Sequence, residues 1–295
     1  MNIKPRRVAG VTVNIVFIGV FVYLLIFPEK ATDATAQALF FCAESIIPSL
    51  FIYLVLSKRI VAIRAVSELC TRPVLGSIFT VVLGLVCGFP AGARNCVYLY
   101  EEGYISKKRA EYLCCLCSGA SVSFILAFAG VSVMGSVMHG IKILLIQCAA
   151  TIATAAVLYP FLLKGEKKIS AKTKKRIRNT DITDAIADSA FLCVRICGFI
   201  ACFFVLGSLC AGFFKEGSIW AVTVRGIFEF SGGIARTSVF DIDTREVLCC
   251  LFLGFGSFSA ILQTASVMKN TLSVKPFIIS RLIMGALMAV FALVT

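Results

Sequence analysis

Apolar residues form long, nearly uninterrupted stretches along this chain, and short polar or basic segments separate them. An α-helix of about 20 apolar residues is long enough to cross the hydrocarbon core of a bilayer. A helix also satisfies its own backbone groups there, whereas an open sheet edge does not. The pattern therefore predicts an all-α polytopic membrane protein. Its candidate spans are residues 8–27, 36–57, 74–91, 112–131, 140–163, 190–214, 219–232, 247–268 and 274–294.

The third segment ends in GLVCGFPAGAR, residues 84–94, which combines three glycines with a proline and an arginine. Proline removes a backbone donor, so such backbone persists at membrane depth only where protein shields it or a cavity faces it. Basic loops tend to stay in the cytoplasm, yet the basic loop at 164–178 would lie outside if every segment crossed from a cytoplasmic N-terminus. We therefore predict that segment 74–91 enters and leaves the membrane on the cytoplasmic side.

The second half of the chain repeats the order span, re-entrant segment, span, span. Its re-entrant segment is 219–232, and the short matches PAGAR with GGIAR and SVSFIL with SFSAIL occur in the same order. The predicted topology gives the halves opposite membrane directions, which is the inverted repeat of secondary transporters. The fold class is thus a transporter-like helical bundle with re-entrant or interrupted helices. Its predicted units are an N-terminal helix and connection (1–35), repeat 1 (36–163), a basic cytoplasmic loop (164–180) and repeat 2 (181–295).

Secondary transporters bind their substrate near the midplane, where the ends of interrupted helices meet. The predicted substrate site collects the polar and helix-opening residues of four segments: Gly88, Pro90, Gly92, Arg94, Ser118, Gly119, Ser121, Ser123, Glu229, Gly232, Gly233, Gly256, Ser257, Ser259 and Gln263. Arg94 is expected either to attract an anionic substrate or to anchor a helix end at the interface. The serines form a symmetric polar set, although a single serine in a membrane helix commonly bonds its own backbone.

Glu229 stands out among these residues because an unpaired carboxylate is expensive inside a membrane. One interpretation makes it a coupling site for a proton or cation, or a ligand for the substrate. The other makes it a structural carboxylate that Arg225 or Arg281 satisfies. The sequence leaves both open.

Composition and charge exclude several other functions. Hydrophobic residues make up 59% of the 295, and the net charge of +13 resides in loop cations without interleaved aromatics, so nucleic-acid binding is not expected. Most of the 14 cysteines lie in apolar segments as packing residues, and the cluster at 114–117 lacks the second pair of a zinc site. His139 is the single histidine, which removes the usual catalytic triad. We expect no enzyme activity, no metal and no cofactor.

Several motifs, taken in order, resemble a known family. GFPAGAR, LYEEGYISKKRAEYL (99–113) and FILAFAGVSVMGS (124–136) are similar to the nucleoside-recognition, or Gate, domain of sporulation integral membrane proteins of the YlbJ type. GIFEFSGG and SRLIMGAL in the second half are similar to the corresponding family segments. The resemblance implies a fold related to concentrative nucleoside transporters, an endospore-forming bacterium, and a role in moving dipicolinate between mother cell and spore.

The sequence as a whole predicts a secondary carrier or facilitator of a small polar, anionic metabolite such as dipicolinate. A nucleoside transporter and a non-transporting membrane scaffold required for sporulation remain as alternatives. The expected partners are a small-molecule substrate and the lipid bilayer of the bacterial cytoplasmic membrane or the forespore, with the N-terminus in the cytoplasm. A homo-oligomer stays open, as does coupling to a proton or a sodium ion.

Overall fold

The computed structural model describes residue 14 and residues 18–164, 181–268 and 271–295. These residues form helices joined by short turns, and no strand occurs among them. Nearly half of the first predicted span (8–27) lies outside the described residues, and 18–26 are helical. The basic loop also lies outside them, except for its first residue.

The first long helix of the described chain is continuous through a π-helical turn. Helix α1 (Pro28–Phe41) passes through the turn Cys42–Ile46 into α2 (Ile47–Ala62). Pro48 has no N–H to donate, and the wider π turn just before it accommodates that missing bond. The predicted domain boundary at residue 35 therefore falls inside α1.

The helices that follow in the two halves include four interrupted pairs and one bent pair. The remaining helices are α3 (Arg64–Cys70), α4 (Leu75–Cys87), α5 (Ala91–Glu101), α6 (Lys107–Cys117), α7 (Phe124–Val133, a π-helix), α8 (Val137–Leu162), α9 (Ile182–Ala211), α10 (Ile219–Phe228), α11 (Phe230–Arg236), α12 (Ile242–Phe255), α13 (Ser257–Met268) and α14 (Lys275–Val294). Helices α3 and α4 meet at an angle of 113°.

Five helical stretches among the described residues are long and apolar enough to cross a membrane. They are Ala31–Ala62, Val137–Leu162, Ile182–Ala211, Ile242–Met268 and Lys275–Val294. The bent pair α3 and α4 makes a sixth if it is counted as one span.

The order of elements in the first half recurs in the second. A long helix (31–62 or α9) is followed by a broken pair (α4 and α5, or α10 and α11). A second broken pair comes next (α6 and α7, or α12 and α13), and each half ends on a long helix (α8 or α14). The predicted order of elements is therefore present, with each half carrying two interruptions.

Two predicted boundaries need correction. The segment 112–131, predicted as one uninterrupted span, is broken at residues 118–123, where serines and a glycine end α6. The predicted re-entrant segment 74–91 contains only its first arm, α4, because the second arm is α5. Arg94 and Asn95 lower the hydropathy of α5, so a search for apolar runs stops before it.

Candidate functional site

The first helix break lies between α4 and α5 and is built around Gly88. Its φ of +74° belongs to the left-handed region that glycine adopts without strain. A Cβ at this position would lie 2.9 Å from the Cβ and the backbone N of Ser121. The tip of the first pair therefore packs directly against the break between α6 and α7, and only glycine fits there.

Glycines also permit close packing of the hairpins α4–α5 and α10–α11. A Cβ on Gly84 or Gly92, in α4 and α5, would approach atoms of Cys117 in α6 at 2.4 and 2.2 Å. In the second half, a Cβ on Gly233 in α11 would lie 2.2 Å from the Cα of Gly226 in α10. Both arms of the first hairpin thus pack against the end of α6, whereas the arms of the second pack against each other.

The break between α6 and α7 is held by its own polar side chains. Ser121 Oγ accepts a hydrogen bond from the Phe124 N–H at 3.2 Å, and Ser123 donates to the Ser49 carbonyl at 3.1 Å. Gln147 on α8 donates through Nε2 to the carbonyl of Ala120 at 3.1 Å. Side chains thereby replace the hydrogen bonds that the helix loses at the break. Ser118 Oγ is buried and has no partner among the described residues.

The break between α12 and α13 meets the first break at the ring of Phe89. Gly256 has a φ of +80° and Ser257 a φ of +57°, so two successive residues take the left-handed conformation. A Cβ on Gly256 would lie 2.9 Å from Phe89 Cζ. One turn further along, Gln263 donates through Nε2 to Ser259 Oγ at 3.0 Å.

A small cavity of about 30 Å³, lined mainly by buried residues, lies where the interrupted helices converge. Its wall includes Gly88 and Phe89 from the first break, Ser121 from the second, Phe230 from α11 and Gln263 from α13. A water molecule needs about 10–15 Å³ of such space, so the cavity has room for one or two waters. A metabolite of a dozen atoms does not fit without movement of the wall.

Glu229 occupies the break between α10 and α11 and is 1% exposed. One carboxylate oxygen, Oε2, accepts hydrogen bonds from the Gly232 N–H at 2.8 Å and from the Ser231 hydroxyl. The other, Oε1, has no partner among the described residues. Arg225, one of the two partners that the sequence suggested, instead forms two hydrogen bonds with Glu216, at 2.8 and 3.0 Å.

The predicted site residues divide by position. Gly88, Ser121 and Gln263 line the cavity. Gly92, Gly232 and Gly233 lie at close packing contacts, with Cys117, Phe204 and Gly226 respectively. The other members surround these positions without being part of the cavity wall: Pro90, Arg94, Ser118, Gly119, Ser123, Glu229, Gly256, Ser257 and Ser259.

Arg94 is the predicted cation nearest to the first break. Its Nη2 donates to the Leu54 carbonyl at 2.6 Å, while Nε and Nη1 are buried without a partner among the described residues. A buried donor without a partner costs about 1–3 kcal/mol, and more when the group is charged. This guanidinium is therefore able to accept an anionic group.

Sequence reasoning missed the aromatic wall of the cavity and placed Arg281 only as a partner of Glu229. Arg281 is 0% exposed and donates through Nη2 to the Cys115 carbonyl at 2.6 Å. Its Cζ lies 5.7 Å from the ring centre of Phe89 and 5.4 Å from that of Phe277. The signal was present, because a cation inside an apolar span is expensive and marks a site by default.

The membrane-length helices, the hairpins and the convergent helix breaks define a polytopic helical membrane protein with a small central cavity. No family model and no solved structure matches the chain. The chain is 24% identical to the sporulation integral membrane protein YlbJ of Bacillus subtilis (strain 168). That alignment of 317 positions covers 90% of this chain and 78% of the relative. As the motifs predicted, the chain is similar to a YlbJ-type sporulation integral membrane protein along most of its length.

Proposed function

We propose that the protein is a membrane transporter, a secondary carrier or facilitator, for a small polar anion such as pyridine-2,6-dicarboxylate (dipicolinate) in a sporulating cell. The observation that carries this proposal is the convergence of interrupted helices on one small cavity. Broken helices expose backbone polar groups, which membrane proteins tolerate where those groups line a cavity or are buried in protein. Secondary transporters use this arrangement to bind their substrate between repeats.

The cavity is smaller than a dicarboxylate of this kind. Its polar lining is small and consists of Ser121 and Gln263, and aliphatic and aromatic side chains form most of the rest. Substrate entry therefore requires the hairpin tips to separate. Gly88 and Gly256, both with positive φ, lie at the two tips that meet there.

An anion is the solute class that fits the charges around the breaks. Arg94 offers two buried nitrogens without partners, and no ion pair joins it to a carboxylate of the described residues. Guanidinium groups bind carboxylates through paired, charge-assisted hydrogen bonds. A neutral nucleoside has no negative charge to pair with the Arg94 guanidinium, so we rank a nucleoside substrate second.

The test is flux of labelled pyridine-2,6-dicarboxylate into proteoliposomes that contain the purified full-length protein, with uridine alongside. We expect saturable dicarboxylate flux above that of empty liposomes. Uridine flux alone would replace the anion with a nucleoside, and flux of neither solute through folded protein would reject transport of both.

A matched pair of glycine substitutions ties the flux to the cavity. Gly88→Ala places a methyl group against Ser121, whereas Gly198→Ala adds one where no atom lies within 4 Å. We expect Gly88→Ala to reduce flux and Gly198→Ala to preserve it. Unchanged flux in Gly88→Ala would show that the flux does not pass through this cavity. If the native protein shows no flux and Gly88→Ala supports normal spore formation, a scaffold that moves no solute becomes the better function.

A further inference from the structure

Arg281 carries a buried positive charge for which the described residues supply no carboxylate. Its side chain is fully buried, and Nη1 has no hydrogen-bond partner among the described residues. Nη2 donates to the Cys115 carbonyl, and Nε faces the Ser280 hydroxyl at the long distance of 3.5 Å. Arginine presents five donors in a planar fork, so much of this group is unused.

The ring of Phe89 connects this cation with the cavity. Phe89 is part of the cavity wall, and the Arg281 guanidinium lies over the same ring with its Cζ 5.7 Å from the centre. A second aromatic ring, that of Phe230, lies 6.3 Å from Phe89 between centres. One side chain thus closes the cavity and covers the buried charge.

Two glycines of the helix breaks lie next to the Phe89 ring. Gly88 precedes it with a φ of +74°, and Gly256, which has no side chain, lies against the far end of the ring. Displacement of the ring would enlarge the cavity and open a path to the unused donors of Arg281. The hairpin tip is therefore placed to control access to the guanidinium.

We propose that Arg281 is a second anion-recognition residue, beside Arg94, and that the Phe89 ring is the shutter that covers it. This inference rests on the proposed transport of an anion and adds Arg281 to the residues that bind its charge. The ligand class is a small carboxylate, because a guanidinium fork and a carboxylate match in two parallel hydrogen bonds. In the closed state the aromatic faces of Phe89 and Phe277 substitute for the anion.

A purely structural role would explain only one of the donors of Arg281. The Cys115 carbonyl lies in the last turn of α6, where helical carbonyls lack intrahelical donors, and Arg281 satisfies it. Arg245 shows what a structural arginine looks like in this chain. Its two terminal nitrogens donate to the carbonyls of Val133, Ser238 and Phe240, each at 2.9 Å. Arg245→Lys is therefore the matched control.

The first test measures access to Arg281 without relying on transport. Purified full-length protein is treated with phenylglyoxal, which modifies accessible guanidinium groups, and modification of Arg281 is quantified by mass spectrometry. We expect little modification in the native protein and a several-fold increase in Phe89→Ala. Pyridine-2,6-dicarboxylate should protect Arg281 in that variant, and the neutral pyridine-2,6-dicarboxamide should not.

Phe89→Leu keeps more of the apolar volume and serves if Phe89→Ala does not fold. Modification that stays at the native level in the folded Phe89 variant would overturn the shutter. Modification that increases but is not reduced by the dicarboxylate would overturn the anion site.

The second test measures apparent affinity in the flux assay. A lost charge-assisted hydrogen bond corresponds to roughly a ten- to hundredfold change in affinity. We expect Arg281→Lys to raise the half-saturating concentration of pyridine-2,6-dicarboxylate by that factor and Arg245→Lys to leave it unchanged. An unchanged value in Arg281→Lys would overturn the inference. If the native protein moves no dicarboxylate, the proposed function fails, and protection from phenylglyoxal still decides whether Arg281 binds anions.

Discussion

At the scale of single residues, one carboxylate oxygen of Glu229 caps a helix and the other has no hydrogen-bond partner among the described residues. Oε2 caps the start of α11, while Oε1 is buried without a partner among the described residues. Neither arginine that the sequence suggested as a structural partner contacts it, since Arg225 bonds Glu216 and Arg281 bonds Cys115. A buried carboxylate of this kind either holds a proton or binds a cation.

Glu229→Gln separates a coupling role from a capping role. The amide oxygen of glutamine can still accept from the Gly232 N–H, so the start of α11 is retained, but the side chain no longer titrates. We expect folded protein whose flux no longer responds to an imposed pH gradient. Glu44→Gln, at an exposed position of the first long helix, is the control and should keep the response. An unchanged pH response in Glu229→Gln would remove the coupling role.

Gly88 also permits a stability prediction that needs no transport assay. Its positive φ costs an L-residue about 1 kcal/mol or more, and the contact with Ser121 adds a steric term. We expect Gly88→Ala to lower the Tm of the purified protein, while Gly198→Ala, in an open part of α9, should leave it unchanged or raise it slightly. Equal Tm values for the two variants would contradict the tight packing of the first break.

Among single residues, the sequence identified the positions of the helix breaks better than the side chains that meet around the cavity. Gly88, Ser121 and Gln263 line the cavity as their position in the motifs suggested, because glycine and serine mark helix breaks locally. Phe89 and Arg281 were not assigned to the site, since an aromatic wall and a buried cation become a pair only through contact between segments 192 positions apart. No local pattern contains that information.

At the scale of elements, the second hairpin depends on two glycines whose constraints differ. A Cβ on Gly226 would lie 2.4–2.5 Å from atoms of the Phe252 ring, which is a side chain and can be shortened. A Cβ on Gly233 would lie 2.2 Å from the Cα of Gly226, which is backbone and cannot. A second substitution can therefore relieve the steric clash of a side chain at position 226 but not the clash at position 233.

A double-mutant comparison tests this difference. Gly226→Ala and Gly233→Ala are both expected to lower the Tm and the yield of monodisperse protein. Phe252→Leu should restore part of the loss in Gly226→Ala and little or none in Gly233→Ala, because only the first clash is with the ring. Phe252→Leu alone measures the cost of the smaller core residue. Equal rescue of both glycine variants would show that the arms are not packed as described.

The hairpins also show where hydropathy stops being informative. Helices α5 and α11 are short and contain Arg94, Asn95 and Arg236, so neither reads as a membrane segment on its own. Only the structure identifies them, as the second arms of hairpins whose first arms are the apolar helices before them. The sequence therefore predicted the first arm of each hairpin and misplaced the end of the second.

At the scale of the whole molecule, contacts between distant segments agree with the predicted topology. Lys58 pairs with Asp188, and the Ser273 N–H donates to Glu111 at 2.8 Å, which joins ends predicted to be cytoplasmic. On the side predicted to be outside, Glu246 bonds His139 at 3.1 Å and Lys142 at 2.6 Å. Each contact links two segments that charge distribution had assigned to the same side.

The inverted topology makes a prediction that cysteine labelling can check. In a variant without the native cysteines, single cysteines replace Lys108, Ser170 and Lys215, and a membrane-impermeant maleimide is added to intact cells. Lys108 and Lys215 are exposed, and Ser170 belongs to the basic segment outside the described residues. We expect label on position 215 only, with positions 108 and 170 reacting after the membrane is opened.

The helices α6, α7 and α8 determine the relation between positions 108 and 170. If α6 and α7 together cross once and α8 crosses back, an even number of crossings separates residue 108 from residue 170, and a single further crossing by α9 places residue 215 opposite. If the first hairpin spans the membrane instead, positions 108 and 170 still share a side, but the N-terminus moves to the other one. A tag accessible at the N-terminus of intact cells would therefore reject the re-entrant hairpin. Labels on opposite sides at positions 108 and 170 would show that α6 and α7 do not cross once and α8 does not cross back.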